Sequence, residues 1–190
     1  MKDIKPAIRL LIVFTFLCGG LYPAVVTALA QAVFPRQAAG SLLADAGGRP
    51  LGSALIGQNF AGKRYFWPRP SATSPFPYNP LASGGSNLGP TNPALFKQVE
   101  ERIETLRGQG AARPFPADMV LASASGLDPH ISPESAMLQV SRVAQARGLE
   151  VKKLARLVDA QVEGRVLGFL GEPRVNVLRL NLALDRLAAP

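Results

Sequence analysis

The chain has 190 residues, 47% apolar and 18% charged, with a formal net charge of +8. That is room for one domain of ordinary size plus a tail, and not for two full domains. One Cys and one His exclude an internal disulfide framework, a Cys-based zinc finger and a His-rich metal site.

The first nine residues carry Lys2, Asp3, Lys5 and Arg9, and from Leu10 to Phe34 no charged residue occurs. A helix over 10–34, rising about 1.5 Å per residue, exceeds the ~30 Å hydrocarbon thickness of a bilayer. Pro23 interrupts the run, which a spanning helix tolerates. Gly20, Ala24 and Ala28 recur every four positions, so a small-residue face is available for lateral packing on other membrane helices. A second reading is a signal peptide, with an apolar region from Leu10 to Leu21 and Ala28-Leu29-Ala30 as a cleavage site. Under both readings the remainder lies outside the cytoplasm, because Lys2, Lys5 and Arg9 orient the start toward the cytosol. Cys18 follows Leu17 inside the run and reads as a lipid-facing or packing residue.

Residues 35–41 are expected to be a connector. The segment Ala44 to Pro50 reads as the turn of a β-hairpin between Leu42-Leu43 and Leu51 to Ile56. Residues 57–93 are rich in Gly and Pro yet hold Tyr65, Phe66, Trp67, Phe76 and Tyr78. A disordered linker has few aromatics, so this is a long ordered loop, fixed by its prolines and packed by its rings. Asn92-Pro93 opens a helix with Leu95, Phe96, Val99, Ile103 and Leu106 on one face, closed by Gly108. Residues 108–117 form a loop, and Asp118 to Ser123 is expected to be a short strand. Ser132-Pro133 opens a second helix that runs to Arg147 and stops at Gly148, and a third runs from about Val151 to Gln161. Val175 to Leu184 suits a strand and a helix equally. Residues 42–190 thus read as a single α+β domain. The +6 of net charge beyond residue 34 is scattered, with no basic run, so nucleic acid is not an expected partner.

Three segments invite a chemical reading. Gly57 to Lys63 spells G-x-x-x-x-G-K, but Arg64 stands where a phosphate loop needs Ser or Thr for magnesium, so a turn is expected. Ser123, Ser125, Asp128 and His130 include the residue types of a serine hydrolase, without a G-x-S-x-G elbow around either serine. Asp128, His130 and Ser132 are better read as binding turn backbone and capping the helix that follows. Ser83-Gly84-Gly85-Ser86-Asn87 has the backbone freedom to cup an anion or to approach another protein, and within a rigid aromatic loop a protein contact is favoured. The expected contact surface is therefore Tyr65, Phe66, Trp67, Arg69, Tyr78, Asn79, Ser83, Gly84, Gly85 and Asn87.

Several long blocks occur in a fixed order after the apolar run: Gly52 to Phe60, Tyr65 to Ala72, Tyr78-Asn79, Ser83 to Asn92, Ser125 to Pro133, Arg142 to Gly148 and Val175 to Asp185. In these the chain resembles the KdpC family, an accessory component of the bacterial potassium-transporting P-type ATPase, the Kdp system. The resemblance implies a non-catalytic subunit in the inner (plasma) membrane, with a retained single span and its C-terminal domain outside. It implies three partners: a potassium-channel-like subunit, a P-type catalytic subunit and a small single-span subunit, with membrane lipid around the span. It also implies a role in assembly, and as a catalytic chaperone that raises the pump subunit's affinity for ATP. No cofactor is expected from the chain's own chemistry. A nucleotide contact comes from the resemblance alone, and the signature-like Ser-Gly-Gly-Gln pattern tied to it is incomplete here, since Ser83-Gly84-Gly85-Ser86 lacks the Gln. Gln139, on the helix after Ser132-Pro133, is a free polar candidate for that contact; the alternative is exposure on a helix face. An outer domain conflicts with direct contact to cytosolic ATP. Two functions of other classes stand beside the transporter subunit. One is a periplasmic hydrolase using Ser125 or His130, and the other a secreted binding module released after Ala30.

Overall fold

A computed structural model describes residues 3–45, 47–111 and 114–187 of the chain. Lys2, one of the cations that flank the apolar run, lies outside the described residues. The chain divides into two compact units, Met1–Ser53 and Ala54–Pro190.

The first unit begins with a helix from Ile4 to Val33, long and apolar enough to cross a membrane. It comprises α1 (Ile4–Phe16), a π turn (Leu17–Leu21) and α2 (Tyr22–Val33). The π turn has a local cause. Pro23 lacks an N–H, and in a regular helix its ring would press on the carbonyl of Gly19. Widening the preceding turn, with the Tyr22 N–H donating to the Leu17 carbonyl, makes room for the ring. No residue of the three segments is buried within the unit. A short helix α3 (Pro35–Ala38) occupies most of the expected connector. The expected hairpin follows as β1 (Leu42–Ala44) and β2 (Pro50–Ser53), antiparallel with Leu42 opposite Ser53. Asp45 ties its turn by accepting from the Gly47 and Arg49 amides and pairing with Arg49 Nε at 2.8 Å. The Arg49 amide and guanidinium hold its carboxyl below the usual range.

The second unit contains a three-stranded antiparallel sheet ordered β3 (His130–Ile131), β5 (Arg174–Asn176), β4 (Val162–Glu163). Its helices are α4 (Pro93–Gly108), α5 (Ala117–Val120), α6 (Pro133–Arg147), α7 (Val151–Ala160) and α8 (Val177–Leu187). The mixed helix and strand composition matches the expected class. One element assignment is corrected, one open stretch is resolved and one helix face is narrowed. Asp118 to Ser123 is not a strand, because its first half is the single turn α5, which buries Met119 and Val120. The ambiguous 175–184 stretch is both things in succession: β5 ends at Asn176 and α8 begins at Val177 without a loop. On α4, Leu95, Val99, Ile103 and Leu106 turn inward, while Phe96 is 59% exposed. The face is set by steps of four and three from Leu95, which Phe96 misses by one residue.

Two apolar clusters result. The larger joins Ile131, Val140, Val143, Leu154, Val158, Val175, Leu180 and Leu184 to Phe66. The smaller sets Leu106, Met119 and Val120 against Val99, Ile103, Phe115, Leu138 and Trp67. Consecutive residues of the proline-rich loop thus enter different cores. That is the alternation of an extended strand, although 64–72 pairs with no strand.

Candidate functional site

The feature that organises the second unit is the way this extended loop is held. Five consecutive carbonyls, from Lys63 to Trp67, accept hydrogen bonds from side chains of α6 and α8. Arg142 donates to Lys63 O (2.7 Å) and Tyr65 O (3.1 Å), and Arg147 Nε to Arg64 O (2.7 Å). Asn181 donates to Phe66 O at 3.0 Å and Gln139 to Trp67 O at 3.1 Å. The two amides also accept from the same residues, Phe66 N–H to Asn181 Oδ1 (2.9 Å) and Trp67 N–H to Gln139 Oε1 (2.7 Å). Each amide therefore closes both backbone groups of one loop residue, as a neighbouring strand would. Arg142 stacks on the Trp67 ring at 4.0 Å and Arg147 on the Tyr65 ring at 4.7 Å. Arg147 is anchored in turn by Asp185 at 2.7 Å. Burial pushes the Arg142 guanidinium down to about 10, so it remains a cation at neutral pH.

This geometry reassigns several residues expected on a contact surface. Phe66 is fully buried, and Tyr78 and Asn79 are nearly so. Their side chains are the interior of the domain and cannot meet a partner. Tyr65, Trp67 and Arg69 are partly exposed, as are Gly84 and Gly85, while Ser83 and Asn87 are exposed. Gln139 is neither free nor on a solvated face: it is 3% exposed, and its oxygen also accepts from Arg142 Nη2 at 2.7 Å. Sequence periodicity missed this because a glutamine among apolar neighbours has no local sign of the backbone it will bind. Arg142, Arg147, Asn181 and Asp185 fall within the blocks that carry the family resemblance, but no motif or spacing gives them a role.

Beyond Trp67 the loop is fastened to residues 123–130. Arg69 pairs with Asp128 at 3.0 Å, and Ser71 Oγ donates to Gly126 O at 2.7 Å while accepting from Tyr78 N–H. Tyr78 takes a left-handed backbone (φ 60°) while its hydroxyl donates to Arg69 O at 2.6 Å. Burial, reinforced by Asp128, raises its phenol well above the ordinary value. The Tyr78 ring lies on Gly57, where a Cβ would collide with it. In the Ser83 to Ser86 string, Ser83 Oγ and Gly84 N–H both bind Ser125 O. Gly85 lies so close to the opposite chain that a Cβ would sit 2.9 Å from Ala124 O. Only Gly allows that approach.

The expected turn and cap residues divide their roles. Ser132 caps α6, accepting from Ser135 N–H at 3.1 Å. Asp128 Oδ1 accepts from the His130 amide at 3.0 Å, closing the turn before β3. Burial works against its charge, but hydrogen bonds from His130 and the Arg69 guanidinium prevail and lower its pKa. Neither Asp128 nor His130 reaches the helix start. That part falls to Asp118, which accepts from Ser132 N–H, Ser132 Oγ and Ser135 Oγ. No spacing rule points to Asp118, because its contact lies 14 residues away. His130 sits between Asp128 (3.7 Å) and Glu163 (3.9 Å). Ser125 Oγ accepts from Leu127 N–H, so Ser125 serves its own turn. These side chains brace the fold and do not converge as a nucleophile, base and orienting acid.

Between α4 and the loop runs an open groove of about 430 Å³, walled by Phe60, Trp67, Pro68, Pro70, Tyr78, Leu106 and Met119, with Arg69 and Arg102 at its polar side. Burial lowers the pKa of Arg102, which donates to Val120 O at 2.7 Å.

Residues 4–186 match the family model described as "K+-transporting ATPase, c chain". A protein of Geobacter sulfurreducens named potassium-transporting ATPase KdpC subunit is 66% identical over 98% of this chain and 99% of its own length. A protein of the same name from Geotalea uraniireducens is 63% identical, covering 99% and 100%. One from Methylococcus capsulatus is 56% identical, covering 98% and 99%.

Proposed function

The chain belongs to the KdpC family of the K+-transporting ATPase, and we propose how this accessory subunit of the Kdp complex works within it. It performs no catalysis of its own. The helix from Ile4 to Val33 crosses the inner membrane once and packs laterally on the transport subunits through Gly20, Ala24 and Ala28. The second unit lies outside the cytoplasm as a rigid body that meets the potassium-channel-like, P-type and single-span subunits. Its contact surface is drawn from the exposed parts of the loop, Tyr65, Trp67, Arg69, Ser83 and Asn87, and not from Phe66, Tyr78 or Asn79.

The observation that carries this reading is the clamping of five successive carbonyls by α6 and α8. A segment held at five successive residues presents a preformed surface, which lowers the ordering cost of docking. A chaperone effect on ATP affinity then acts through the pump subunit's own nucleotide site, since the Gln139 amide is fully engaged by Trp67, Arg142 and the Ser135 carbonyl.

Affinity purification of the tagged full chain from membranes tests the assignment. Co-purification of a P-type ATPase and a channel-like subunit is the expected result; a chain recovered alone from mildly solubilised membranes overturns it. Protease protection in sealed vesicles tests the topology, with digestion of the second unit expected from the outer side only.

A further inference from the structure

Between β4 and β5 the chain projects a short turn whose tip reads Val166-Leu167-Gly168-Phe169-Leu170. Its four large apolar side chains are 56%, 79%, 68% and 50% exposed. They are four of five successive residues, whereas the other strongly exposed large apolar side chains of the unit, such as Phe76, Leu81, Phe96 and Val151, stand apart from one another. Neither the groove nor the clamped loop involves them.

We propose that this tip is a second membrane contact, entering the headgroup–acyl boundary of the same bilayer that the N-terminal helix crosses. The proposal rests on the reading of Ile4–Val33 as a spanning segment. A bilayer offers apolar volume and no hydrogen-bond partners, so a segment that enters it must close its own backbone. This turn does so. Val166 N–H donates to Leu170 O and Leu170 N–H to Val166 O, both at 2.9 Å. Gly168 N–H donates to Arg165 O, and Phe169 N–H to Val166 O. Leu167 and Gly168 take left-handed backbone angles (φ 54° and 82°), which curl the apex tightly and turn the side chains outward.

The base of the turn has the polarity of a headgroup layer. Arg165 pairs with Glu172 at 2.6 Å, and Arg174 and Arg179 both pair with Glu163. Three arginines against two glutamates leave a small positive excess at the depth where anionic headgroups sit. Only residues 34–53 separate the spanning helix from the second unit. The tether thus keeps the second unit within reach of the bilayer, so that a contact of a few side chains is enough. A socket on a partner subunit is the competing occupant, and the test separates the two.

The full chain carrying Cys18→Ser is spin-labelled at Phe169→Cys and reconstituted in vesicles of phosphatidylcholine with phosphatidylglycerol. Parallel samples carry the label at Leu167→Cys, at Val26→Cys within the span, and at Leu81→Cys, a site 94% exposed. Collision rates with oxygen, which partitions into lipid, and with a water-soluble nickel chelate are compared. The expected result is an oxygen-to-nickel ratio at residues 169 and 167 several-fold above that at 81 and approaching that at 26. A ratio at both tip positions equal to that at 81, with 26 reading as lipid, overturns the proposal and leaves the span intact. If 26 itself reads as water, the spanning segment has failed and the tip contact falls with it. A tip label shielded from both reagents only when the other Kdp subunits are present assigns the tip to a protein socket and also overturns the proposal.

Discussion

Asn181→Leu isolates what a side-chain amide contributes in place of a strand. Asn181 is 1% exposed and makes two bonds to Phe66, accepting its N–H at 2.9 Å and donating to its carbonyl at 3.0 Å. Leucine is close in shape and fills the site, so no cavity opens and the loss is confined to polar pairing. Two buried backbone groups are then left unsatisfied, at about 1–3 kcal/mol each. Added apolar contact offsets about 1 kcal/mol, leaving a net loss of about 1–5 kcal/mol. For a unit of this size each kcal/mol moves Tm by roughly 2–4 °C, so a drop on the order of 10 °C is expected. Trp67 is the single tryptophan and the residue next to the clamp, so its fluorescence follows unfolding directly in detergent-solubilised full chain. Gln139→Leu repeats the change one residue along. A Tm within a degree or two of the parent for both variants would refute the claim that these amides act as a ladder.

Three further outcomes follow from the same geometry. Gly85→Ala forces a Cβ to 2.9 Å from Ala124 O and should destabilise the domain by about 1–3 kcal/mol, whereas Gly84→Ala meets nothing within 4 Å and should melt with the parent. Asp128 has a lowered pKa when folded, so the unfolded chain takes up its proton more readily as acid is added. Its contribution to stability is present above the ordinary Asp value of about 3.9 and is lost as pH falls through the lower folded value. Asp128→Asn should therefore flatten the acid limb of a stability-against-pH curve while lowering the neutral plateau. Ala24→Phe places a ring on the small-residue face of α2 and should reduce recovery of the intact complex in detergent; equal recovery would remove Gly20, Ala24 and Ala28 from the packing face.

The parts of this fold legible in the sequence are those fixed within one turn of chain. Asn92-Pro93 and Ser132-Pro133 announce α4 and α6 because cap and first-turn proline act on their immediate neighbours. The long uncharged run announces its helix, although the π turn before Pro23 is a compensation that hydropathy does not reveal. What stayed hidden depends on distance along the chain. The aromatic run Tyr65-Phe66-Trp67 suggests an outward contact, yet Phe66 is interior because Asn181, 115 residues away, accepts its amide. Asp118 reads as the start of a strand, whereas its carboxylate is the brace of α6. Leu167 and Phe169 at the exposed tip raised no signal, since a short apolar run looks the same whether it is buried or bare.

The clamps also explain why this segment can be rigid without a strand beside it. An extended chain between two cores is exposed to register slip, because a shift of one residue would send Phe66 toward the Leu106 cluster and Trp67 toward Leu154 and Leu180. A backbone ladder resists slip weakly, since every residue offers it the same N–H and C=O. Here the register is set by side chains at fixed helix positions. Gln139 and Arg142 lie three apart on α6, and Asn181 and Asp185 lie four apart on α8, so each pair shares one helix face. The Arg142 guanidinium spans Lys63 O and Tyr65 O while stacking on the Trp67 ring, a combination that only one alignment of the loop satisfies. Arg142→Lys keeps the charge but cannot reproduce the planar fork and the stack. Its expected result is a loop that remains attached at Phe66 through Asn181 yet is loosened at 63–65, seen as faster protease cleavage after Lys63 and Arg64 at nearly unchanged Tm. Cleavage no faster than in the parent would mean that the amides alone hold the register.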